Sequence, residues 1–469
     1  MIPRITLRKA LEDPQLLGGS LGGESWQAWR ALLIAAMGEK LTDEERQIFR
    51  KLTGREREPG QRVEELVCVV GRRGGKSRAM ATFACYLAGL CEHDLAPGER
   101  GVMLLIAPDQ RQAKIALDYA TAAFEGSPVL RQLIANRTQD ELELRNGITI
   151  EVRAASFRRL RGPTYVAVIA DEAAFWIADE WSSNPDVEIL NAVRPGLATT
   201  QGPLIIASSP YAKRGVLFDS YRRDYGADGD PLILVAKGAT RDLNPSLPQT
   251  VVDRALERDR TSAITEYLAE FRTDIEGFVS YEVVQACLGD YFEAAPTSGC
   301  RYRCFVDPSG GSADSFTLAI AHQDADKRVV VDAVREVRAP FSPENVIIEY
   351  VALCKQYRIT RVMGDRYAGE FPRELLKKHG GITYELVDKT KSDLFRDLLP
   401  LLNSGRVVLP KNERLVSQLC GLERRVSRAG KDSIDHGIGG HDDLANAVAG
   451  VCYMVVSGIG SYNLEALAS

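Results

Sequence analysis

Short, continuously apolar runs alternate with longer amphipathic segments along the first half of the chain. The apolar runs are VEELVCVVG at 63–71, VMLLIAP at 102–108, YVAVIAD at 165–171 and PLIIASS at 203–209. Apolar residues recur at helical spacing after Ser77 and at 109–124. Strands that are apolar on both faces are typical of parallel sheets covered by helices on each side. The pattern therefore predicts a parallel α/β sheet in this half.

A different order of elements follows the Pro/Gly/Ser-bearing stretch at 293–300. Three strand-like runs come in quick succession: YRCFVDP, FTLAIAH and RVVVDAVRE. The helical stretch ENVIIEYVALCKQY leads to a fourth run, RITRVMGD, and HDDLANAVAGVCYMVV forms a final helix. Three antiparallel strands, a helix, a parallel strand and later helices are the order of an RNase H-type domain. We therefore predict a mixed sheet in the second half.

Together these patterns predict an α/β protein with an N-terminal domain over 1–240, a helical segment over 241–295 and a C-terminal domain over 296–469. The 469 residues are 45% hydrophobic and 26% charged, which excludes a disordered or fibrous chain. A net charge of -5 excludes a uniformly basic nucleic-acid coat but allows a local basic groove. The absence of a long apolar run predicts no membrane-spanning helix. Nine cysteines without a CxxC pair predict reduced thiols, as in a cytosol.

The first predicted strand leads through GRRGGKS, residues 71–77, into a helix. The glycines before the lysine, Gly74 and Gly75, let backbone N–H groups converge on phosphate oxygens, and the helix N-terminus adds positive potential. Lys76 would reach the outer phosphates of a nucleotide, and the Ser77 hydroxyl would hold Mg²⁺. The first glycine of the motif stands one residue later than in the standard pattern, so an ordinary glycine turn is the alternative.

Two other predicted strands end in side chains that complement a phosphate loop. Asp171 suits Mg²⁺ bound through water, and Glu172 suits polarisation of the attacking water; a helix-cap pair is the alternative. Ser208, at the end of PLIIASS, could sense hydrolysis of a γ-phosphate, unless it simply forms a turn. Upstream, Gln27 lies beside Trp26 and could hydrogen-bond adenine, whereas core packing is the alternative for the tryptophan. ATP with Mg²⁺ is the ligand that these residues predict.

An arginine cluster precedes the Asp171 strand, with members at 153, 158, 159 and 161. A solvated basic face is one interpretation. The others are contact with DNA phosphates, or an arginine finger at Arg161 that reaches the ATP of a neighbouring subunit.

Aspartates stand at three predicted element ends in the second half. Asp307 and Asp365 each end a strand, and Asp442 and Asp443 begin the last helix. Such a cluster repels itself unless cations lie within it, so it predicts a two-metal phosphodiester site with Mg²⁺ or Mn²⁺. Taken singly, each aspartate could be a turn or cap residue. Asp314, in the turn after Asp307, is either a secondary ligand or a turn former.

Helix geometry separates the roles of the two adjacent aspartates. Asp443 shares a helix face with Asn446, whereas Asp442 points about 100° away. We therefore expect Asp443 to be the direct metal ligand together with Asp307 and Asp365, and Asp442 to support the site or cap the helix. The segment 411–431, with six basic and two acidic residues, and the nearby lysines 389 and 391 predict a groove for the DNA backbone.

The motifs, in their order, resemble those of the large terminase subunit of tailed bacteriophages, over roughly residues 20–455. VVGRRGGKS is similar to the variant Walker A motif of that family, in which an arginine stands four residues before the lysine; here it is Arg72. VIADEAAFW resembles its Walker B motif and ASSP its coupling motif. VDPSGG, MGDRYAG and GHDDLANA resemble its three nuclease motifs. By the same resemblance, Trp26 and Gln27 would contact adenine. Asn446 stands where the family often has an aspartate.

The resemblance implies an N-terminal P-loop ATPase domain with a parallel central sheet and a C-terminal RNase H-like nuclease domain. It implies a motor that hydrolyses ATP, moves double-stranded DNA into a procapsid and cuts concatemeric DNA. The implied partners are DNA, a small terminase subunit and the portal protein, with a homo-pentamer when docked and a monomer when free. The implied location is the cytoplasm of an infected bacterial host, away from membranes and outside the mature virion.

Two other classes of protein compete with this interpretation. A helicase-nuclease of DNA repair or restriction would need further helicase motifs and usually a second RecA-like domain, and no second Walker-like strand set follows residue 209. A degenerate remnant or structural scaffold need not keep its catalytic side chains. Here Lys76, Ser77 and all the aspartates are present.

Overall fold

The computed structural model describes residues 1–155, 160–176, 185–312, 314–365, 370–425, 432–437 and 440–458. The described chain divides into two compact units, and the division falls between Thr273 and Asp274. That point lies inside the predicted helical segment 241–295. The three-part boundaries themselves stay a prediction.

Unit one, which ends at Thr273, is built on an eight-stranded sheet and also contains a two-stranded one. Its strands are β1 (Ile2–Pro3), β2 (Glu65–Val70), β3 (Cys91–Glu92), β4 (Gly101–Ala107), β5 (Ile134–Arg137), β6 (Glu141–Leu144), β7 (Ile148–Ala154), β8 (Thr164–Asp171), β9 (Leu204–Ser208) and β10 (Ile233–Gly238). The spatial order in the large sheet is β10-β2-β9-β8-β4-β7-β6-β5. The strands from β10 to β7 in this order run parallel, whereas β5, β6 and β7 pair antiparallel.

Helices cover both faces of the large sheet. The helices of unit one are α1 (Leu7–Glu12), α2 (Gln27–Ala36), α3 (Asp43–Thr53), α4 (Lys76–Gly89), α5 (Gln110–Glu125), α6 (Pro185–Ala198), α7 (Gly215–Asp224), α8 (Thr240–Leu243), α9 (Gln249–Arg258) and α10 (Arg260–Leu268). The ends of α3 show why the sequence forms a helix there. Thr42 and Glu45 form a capping box at its start, and Gly54 ends it with a φ of 66°.

Strand β2 illustrates how the apolar runs form the core. Leu66, Cys68 and Val70 enter the hydrophobic cluster on one face of the sheet, and Val67 and Val69 enter the cluster on the other. All five are at most 1% exposed, because helices cover each face. The predicted parallel α/β sheet is therefore confirmed. The antiparallel hairpin β5–β6, which extends one edge of the sheet, is an addition to that prediction.

Unit two contains a six-stranded and a three-stranded sheet. Its strands are β11 (Ile275–Gly277), β12 (Arg303–Asp307), β13 (Phe316–Gln323), β14 (Val329–Val337), β15 (Arg361–Gly364), β16 (Thr383–Leu386), β17 (Val407–Val408), β18 (Leu422–Arg425) and β19 (Ser433–His436). Its helices are α11 (Tyr281–Ala286), α12 (Pro343–Gln356), α13 (Phe371–Gly380), α14 (Lys391–Asn403), α15 (Glu413–Gly421) and α16 (Asp443–Ser457).

The large sheet of unit two has the spatial order β16-β15-β12-β13-β14-β17. Strands β12, β13 and β14 pair antiparallel, and β15 joins β12 in parallel after α12. The predicted mixed sheet and its RNase H-type order are therefore confirmed. The register places Thr317 opposite both Asp307 and Glu336, so these three residues share one face of the sheet.

Helix α16 packs on that face with almost no space between helix and strand. A Cβ atom at Gly450 would lie 2.4 Å from the ring of Phe305, which is fully buried on β12. A glycine at this position therefore lets the helix approach the strand closely. The first turn of α16 is thereby brought to the end of β12, where Asp307 lies.

None of the described helices is both long and apolar enough to cross a bilayer. The structure contains all nine cysteines as free thiols.

The close approach at Gly450 makes a testable prediction. Gly450→Ala should lower the free energy of unfolding by about 1–3 kcal/mol, because the added methyl group overlaps the Phe305 ring. Gly421→Ala is the matched control, since no atom lies within 4 Å of the added Cβ in α15. Urea unfolding of both variants measures the difference. Equal stability of the two variants would contradict the packing described here.

Candidate functional site

The turn between β2 and α4 is shaped by two tryptophans. Gly75 has a φ of 89°, and a Cβ atom there would lie 2.9 Å from the Trp26 ring. The buried Trp29 donates a hydrogen bond of 2.7 Å from Nε1 to the carbonyl oxygen of Gly74. Trp29 therefore fixes the loop as well as packing in the core. A glycine at position 75 is required by both space and backbone conformation.

Lys76 begins α4 and points into a buried network. Its Nζ lies 3.3 Å from Glu172 Oε1, and it donates hydrogen bonds to Ser209 Oγ at 2.8 Å and to the Val70 carbonyl at 3.3 Å. Strand β9 lies between β2 and β8, so the carboxyl ends of three parallel strands bring these groups together. The structure thus joins the predicted lysine to the predicted Walker B glutamate.

Glu172 is held by the end of β9 as well as by Lys76. Its Oε2 accepts hydrogen bonds from Ser208 Oγ at 3.2 Å and from the Ser209 backbone N–H at 3.1 Å. The residue has a φ of 52°, which is uncommon outside glycine. Its backbone N–H donates to the Ala207 carbonyl at 2.7 Å. The serines therefore contact the glutamate directly, which places them to respond to changes at this carboxylate.

Asp171 lies beside the hydroxyl of the phosphate loop. Ser77 Oγ donates to Asp171 Oδ2 at 3.3 Å, so the two predicted Mg²⁺ residues are neighbours. Burial first, and then the charge of Glu172, raise the pKa of Asp171 to about 7, against the effects of Lys76 and Ser77. Its Oδ1 is buried and has no hydrogen-bond partner within the described ranges. A carboxylate in this condition fits a cation next to Ser77.

Gln27 and Arg72, the other residues predicted to contact nucleotide, lie apart from the lysine network. Gln27 is the half-buried first residue of α2. Arg72 is mostly exposed, and its guanidinium lies 3.0 Å from Glu266, a partner that sequence reasoning missed. Sequence gives no signal for this pair, because the two residues are almost 200 positions apart. Their predicted roles toward ATP stay predictions.

The arginine cluster is only partly described. Arg153 pairs with Glu151, and Arg161 is exposed. The arginines at 158 and 159 lie outside the described residues. A role of Arg161 in a neighbouring subunit stays a prediction.

The carboxylates predicted in unit two stand at neighbouring element ends. Asp307 ends β12, Asp365 follows β15, and Asp443 begins α16. Burial first, and then the charges of Asp443, Asp365 and Asp442, raise the pKa of Asp307 to about 7, whereas a hydrogen bond from Asn446 lowers it.

Asn446 links the helix to the strand end. Its Nδ2 donates a hydrogen bond of 2.7 Å to Asp307 Oδ2, so the amide orients this carboxylate. Position 446 is the one at which the large terminase family often has an aspartate. Thr317 Oγ1 donates a hydrogen bond of 2.8 Å to the carbonyl oxygen of Asp443. Asp443 Oδ2 is buried without a hydrogen-bond partner in the described structure. Burial first, and then the charge of Asp442, raise the pKa of Asp443 to about 6.

Asp442 faces a different group of residues. It is 5% exposed, and its Oδ2 lies 2.8 Å from Lys391 Nζ, which is also 3.0 Å from Asp435 Oδ1. Ligand atoms of Asp435, His436 and Asp442 lie within 4.8 Å of one another. The Lys391 ammonium already supplies the positive charge at this second group. Asp442 is the N-cap residue of α16, with a φ of -142° and a ψ of 13°, so the helical step of 100° does not apply to it. Its side chain makes no capping hydrogen bond and turns to Lys391 instead.

The amino end of α16 has a further support that sequence reasoning missed. Gln418 Oε1 accepts hydrogen bonds from the backbone N–H groups of Leu444 and Ala445 at 2.8 and 3.0 Å. Side-chain capping of this kind fixes the start of a helix. Only the fold could reveal it, because Gln418 lies on α15.

The basic residues assigned to a DNA groove are largely paired with acids. Lys389 pairs with Asp397 and Lys411 with Asp290. In the segment 411–431, the remaining described basic residues also pair: Arg414 with Glu336, Arg424 with Asp432 and Arg425 with Glu423. Residues 426–431 lie outside the described chain. The exposed Asp314 contributes charge near Asp443, without a shown role as a ligand.

No protein-family model and no curated protein matches the chain. Among solved structures, the large terminase of bacteriophage HK97 is 15% identical, with 92% of this chain and 99% of that chain covered and a TM-score of 0.40. A large terminase from a thermophilic bacteriophage, solved with ADP, is 12% identical, with coverage of 85% and 95% and a TM-score of 0.36.

The large terminase nuclease from thermophilic phage G20c is 18% identical, with 37% of this chain and 96% of that chain covered and a TM-score of 0.33. Large terminases are therefore among the solved structures that this chain resembles, at low sequence identity.

The pKa of Asp307 predicts how metal-free stability depends on pH. Because the folded-state pKa is raised from 3.8 to about 7, the unfolded chain loses this proton first. Stability should therefore fall as pH rises from about 4 to about 7. Asp307→Asn should raise the melting temperature of unit two by about 2–4 °C at neutral pH in EDTA, and much less near pH 4.

Asp326→Asn, at an exposed position in the same unit, is the control for this measurement. A lower melting temperature for Asp307→Asn at neutral pH would show that the carboxylate is not electrostatically strained in the metal-free protein.

Proposed function

We propose that this protein is an ATP-driven motor that moves double-stranded DNA into a procapsid and cuts that DNA with a divalent-metal nuclease. One observation carries the proposal. The same chain has a lysine–glutamate phosphate centre at the edge of a parallel sheet and a carboxylate cluster at the edge of an RNase H-type sheet. Each centre suits a different phosphate reaction: phosphoanhydride hydrolysis in the first and phosphodiester cleavage in the second.

In unit one, Lys76 would leave its ion pair with Glu172 and bind the outer phosphates of ATP instead. The loop N–H groups and the start of α4 would hold the phosphate oxygens. Glu172, released from the lysine, would orient the attacking water. Ser208 and Ser209, which contact the Glu172 carboxylate, would transmit the movement of this side chain to β9. Ser77 and the unpartnered Asp171 Oδ1 fit Mg²⁺, which would supply neutralisation of charge on the phosphates.

In unit two, Asp307, Asp365 and Asp443 would hold Mg²⁺ or Mn²⁺. The fit rests on the unpartnered Asp443 Oδ2 and on the raised pKa of Asp307, since each indicates a carboxylate that lacks positive charge. Bound ions would supply activation of water and stabilisation of the leaving oxygen. Asn446 would keep Asp307 oriented, and Lys391 would hold Asp442 away from the ions.

The proposal includes partners that the motor would need. These are the portal protein of a procapsid, a small terminase subunit that selects DNA, and further copies of this chain, as a pentamer when docked. A helicase-nuclease remains the alternative. Against it, only β2 and α4 are joined by a glycine-rich phosphate loop in the part of the chain that the structure describes.

The two reactions should be separable by mutation. Lys76→Ala should abolish ATP hydrolysis, because it removes the charge that would bind the outer phosphates. Glu172→Gln should lower hydrolysis by about 10²-fold or more and keep ATP binding. Asp307→Asn should abolish Mn²⁺-dependent nicking of plasmid DNA and leave the ATPase rate nearly unchanged. Steady-state ATPase and nicking assays on the same purified samples measure both.

Glu423→Gln is the control for Asp307→Asn, since Glu423 is fully buried but does not belong to the group of Asp307, Asp365 and Asp443. This variant should keep Mn²⁺-dependent nicking. Wild-type ATPase activity in Glu172→Gln, or wild-type nicking in Asp307→Asn, would remove the corresponding half of the proposal.

A further inference from the structure

The phosphate loop contains a residue in an unfavourable backbone conformation. Arg73 has a φ of 64°, in the left-handed region that side chains disfavour by roughly 1–2 kcal/mol. Glycine adopts this region readily, yet an arginine stands here between Arg72 and Gly74. Such a conformation persists only where neighbouring groups hold it. The groups that hold Arg73 are therefore of interest.

Two side chains after β10 supply that support. Thr240 Oγ1 donates a hydrogen bond of 2.7 Å to the carbonyl oxygen of Arg72. Asn244 Nδ2 donates one of 2.9 Å to the carbonyl oxygen of Arg73. The carbonyls on either side of the Arg73 α-carbon are thus both fixed. Because peptide groups are planar, fixing the Arg72 carbonyl also fixes the direction of the Arg73 N–H. The Gly74 N–H, which follows the Arg73 carbonyl, donates to the Gly71 carbonyl at 3.1 Å and is held within the loop.

Residues 240–244, which we call the α8 turn, are themselves anchored. Thr240 is fully buried, and Leu243 is 1% exposed. Asp242 accepts a hydrogen bond from the Ala239 N–H at 2.9 Å and pairs with Lys51 of α3 at 2.6 Å. The turn is therefore a firm support for the loop rather than a flexible neighbour.

We propose that Thr240 and Asn244 are positioning residues for nucleotide binding. They hold Arg73 in its left-handed conformation, and thereby set the direction of the Arg73 N–H and the course of the loop before a nucleotide arrives. The inference rests on the proposed function, because it assumes that the loop binds ATP. Thr240 and Asn244 belong neither to the phosphate loop nor to the group formed by Asp171, Glu172, Ser208 and Ser209. The inference therefore assigns a role in nucleotide binding to the segment that follows β10.

The first measurement is ADP affinity of the full chain, with a fluorescent ADP analogue as the probe. Asn244→Ala and Thr240→Val should each weaken binding about fivefold, the loss expected for one hydrogen bond of about 1 kcal/mol. Thr240→Ser keeps the hydroxyl group and should restore most of the affinity. Arg241→Ala is the matched control: Arg241 bonds the Leu247 carbonyl and Gln249 rather than the loop.

The second measurement distinguishes positioning from general stabilisation. In an Arg73→Gly background, position 73 can adopt its conformation without strain, so the loss caused by Asn244→Ala should shrink to less than about twofold. A merely structural contact would instead lower the melting temperature by the same amount in both backgrounds and leave ADP affinity unchanged.

Unchanged ADP affinity in Asn244→Ala, with normal binding by wild type, overturns this inference alone. A fivefold loss that is equally large in both backgrounds overturns the backbone-positioning role. If the wild-type chain binds no ADP, both this inference and the proposed ATPase function are overturned.

Discussion

Both units bury a carboxylate at the carboxyl end of a strand, and a buried negative charge must be neutralised or protonated. Asp171 in unit one and Asp307 in unit two each have a pKa raised to about 7, with burial as the first cause. Neighbouring carboxylates add to the shift, because like charges in a low-dielectric site disfavour each other's ionisation. The neutral side chains of Ser77 and Asn446 donate hydrogen bonds to Asp171 and Asp307, respectively, so they orient these carboxylates without neutralising them. Both carboxylates therefore have surroundings that fit a bound cation.

The folds explain how such charges come to be buried together. Parallel strands deliver their carboxyl ends to one sheet edge, so β2, β9 and β8 place Lys76, Ser208 and Glu172 in contact. In unit two the carboxyl ends of β12 and β15 meet the amino end of α16, whose approach depends on the glycine facing Phe305. Both sites are thus consequences of strand direction and close helix packing. Glu172 and Arg73 both have left-handed backbone conformations, so two strained residues lie in or beside the phosphate loop region.

The sequence predicted the strand ends well and the links between distant segments poorly. Apolar runs bounded by glycine, aspartate or serine were sufficient to predict β2, β8, β9 and β12, because burial on both faces leaves a continuous apolar run in the sequence. The same reasoning could not find Gln418 at the start of α16 or the Thr240 and Asn244 contacts with the loop. Those side chains are common polar residues, and only tertiary folding decides what they contact. The lysines assigned to a DNA groove show the same limit of sequence reasoning. The sequence gives their positive charge but not the aspartates with which they pair in the fold.

The most direct test of the account is the position of Mn²⁺ in crystals of the full chain grown with ADP and Mn²⁺, measured by anomalous diffraction. The account predicts anomalous peaks beside Ser77 and Asp171 and among Asp307, Asp365 and Asp443. Because the Lys391 ammonium already supplies positive charge to the group formed by Asp435, His436 and Asp442, the account predicts no peak there. A peak at this second group with none at Asp307 would contradict the assignment of the metal centre. Absence of metal at both Asp171 and Asp307 would contradict the central claim that these buried carboxylates are cation sites.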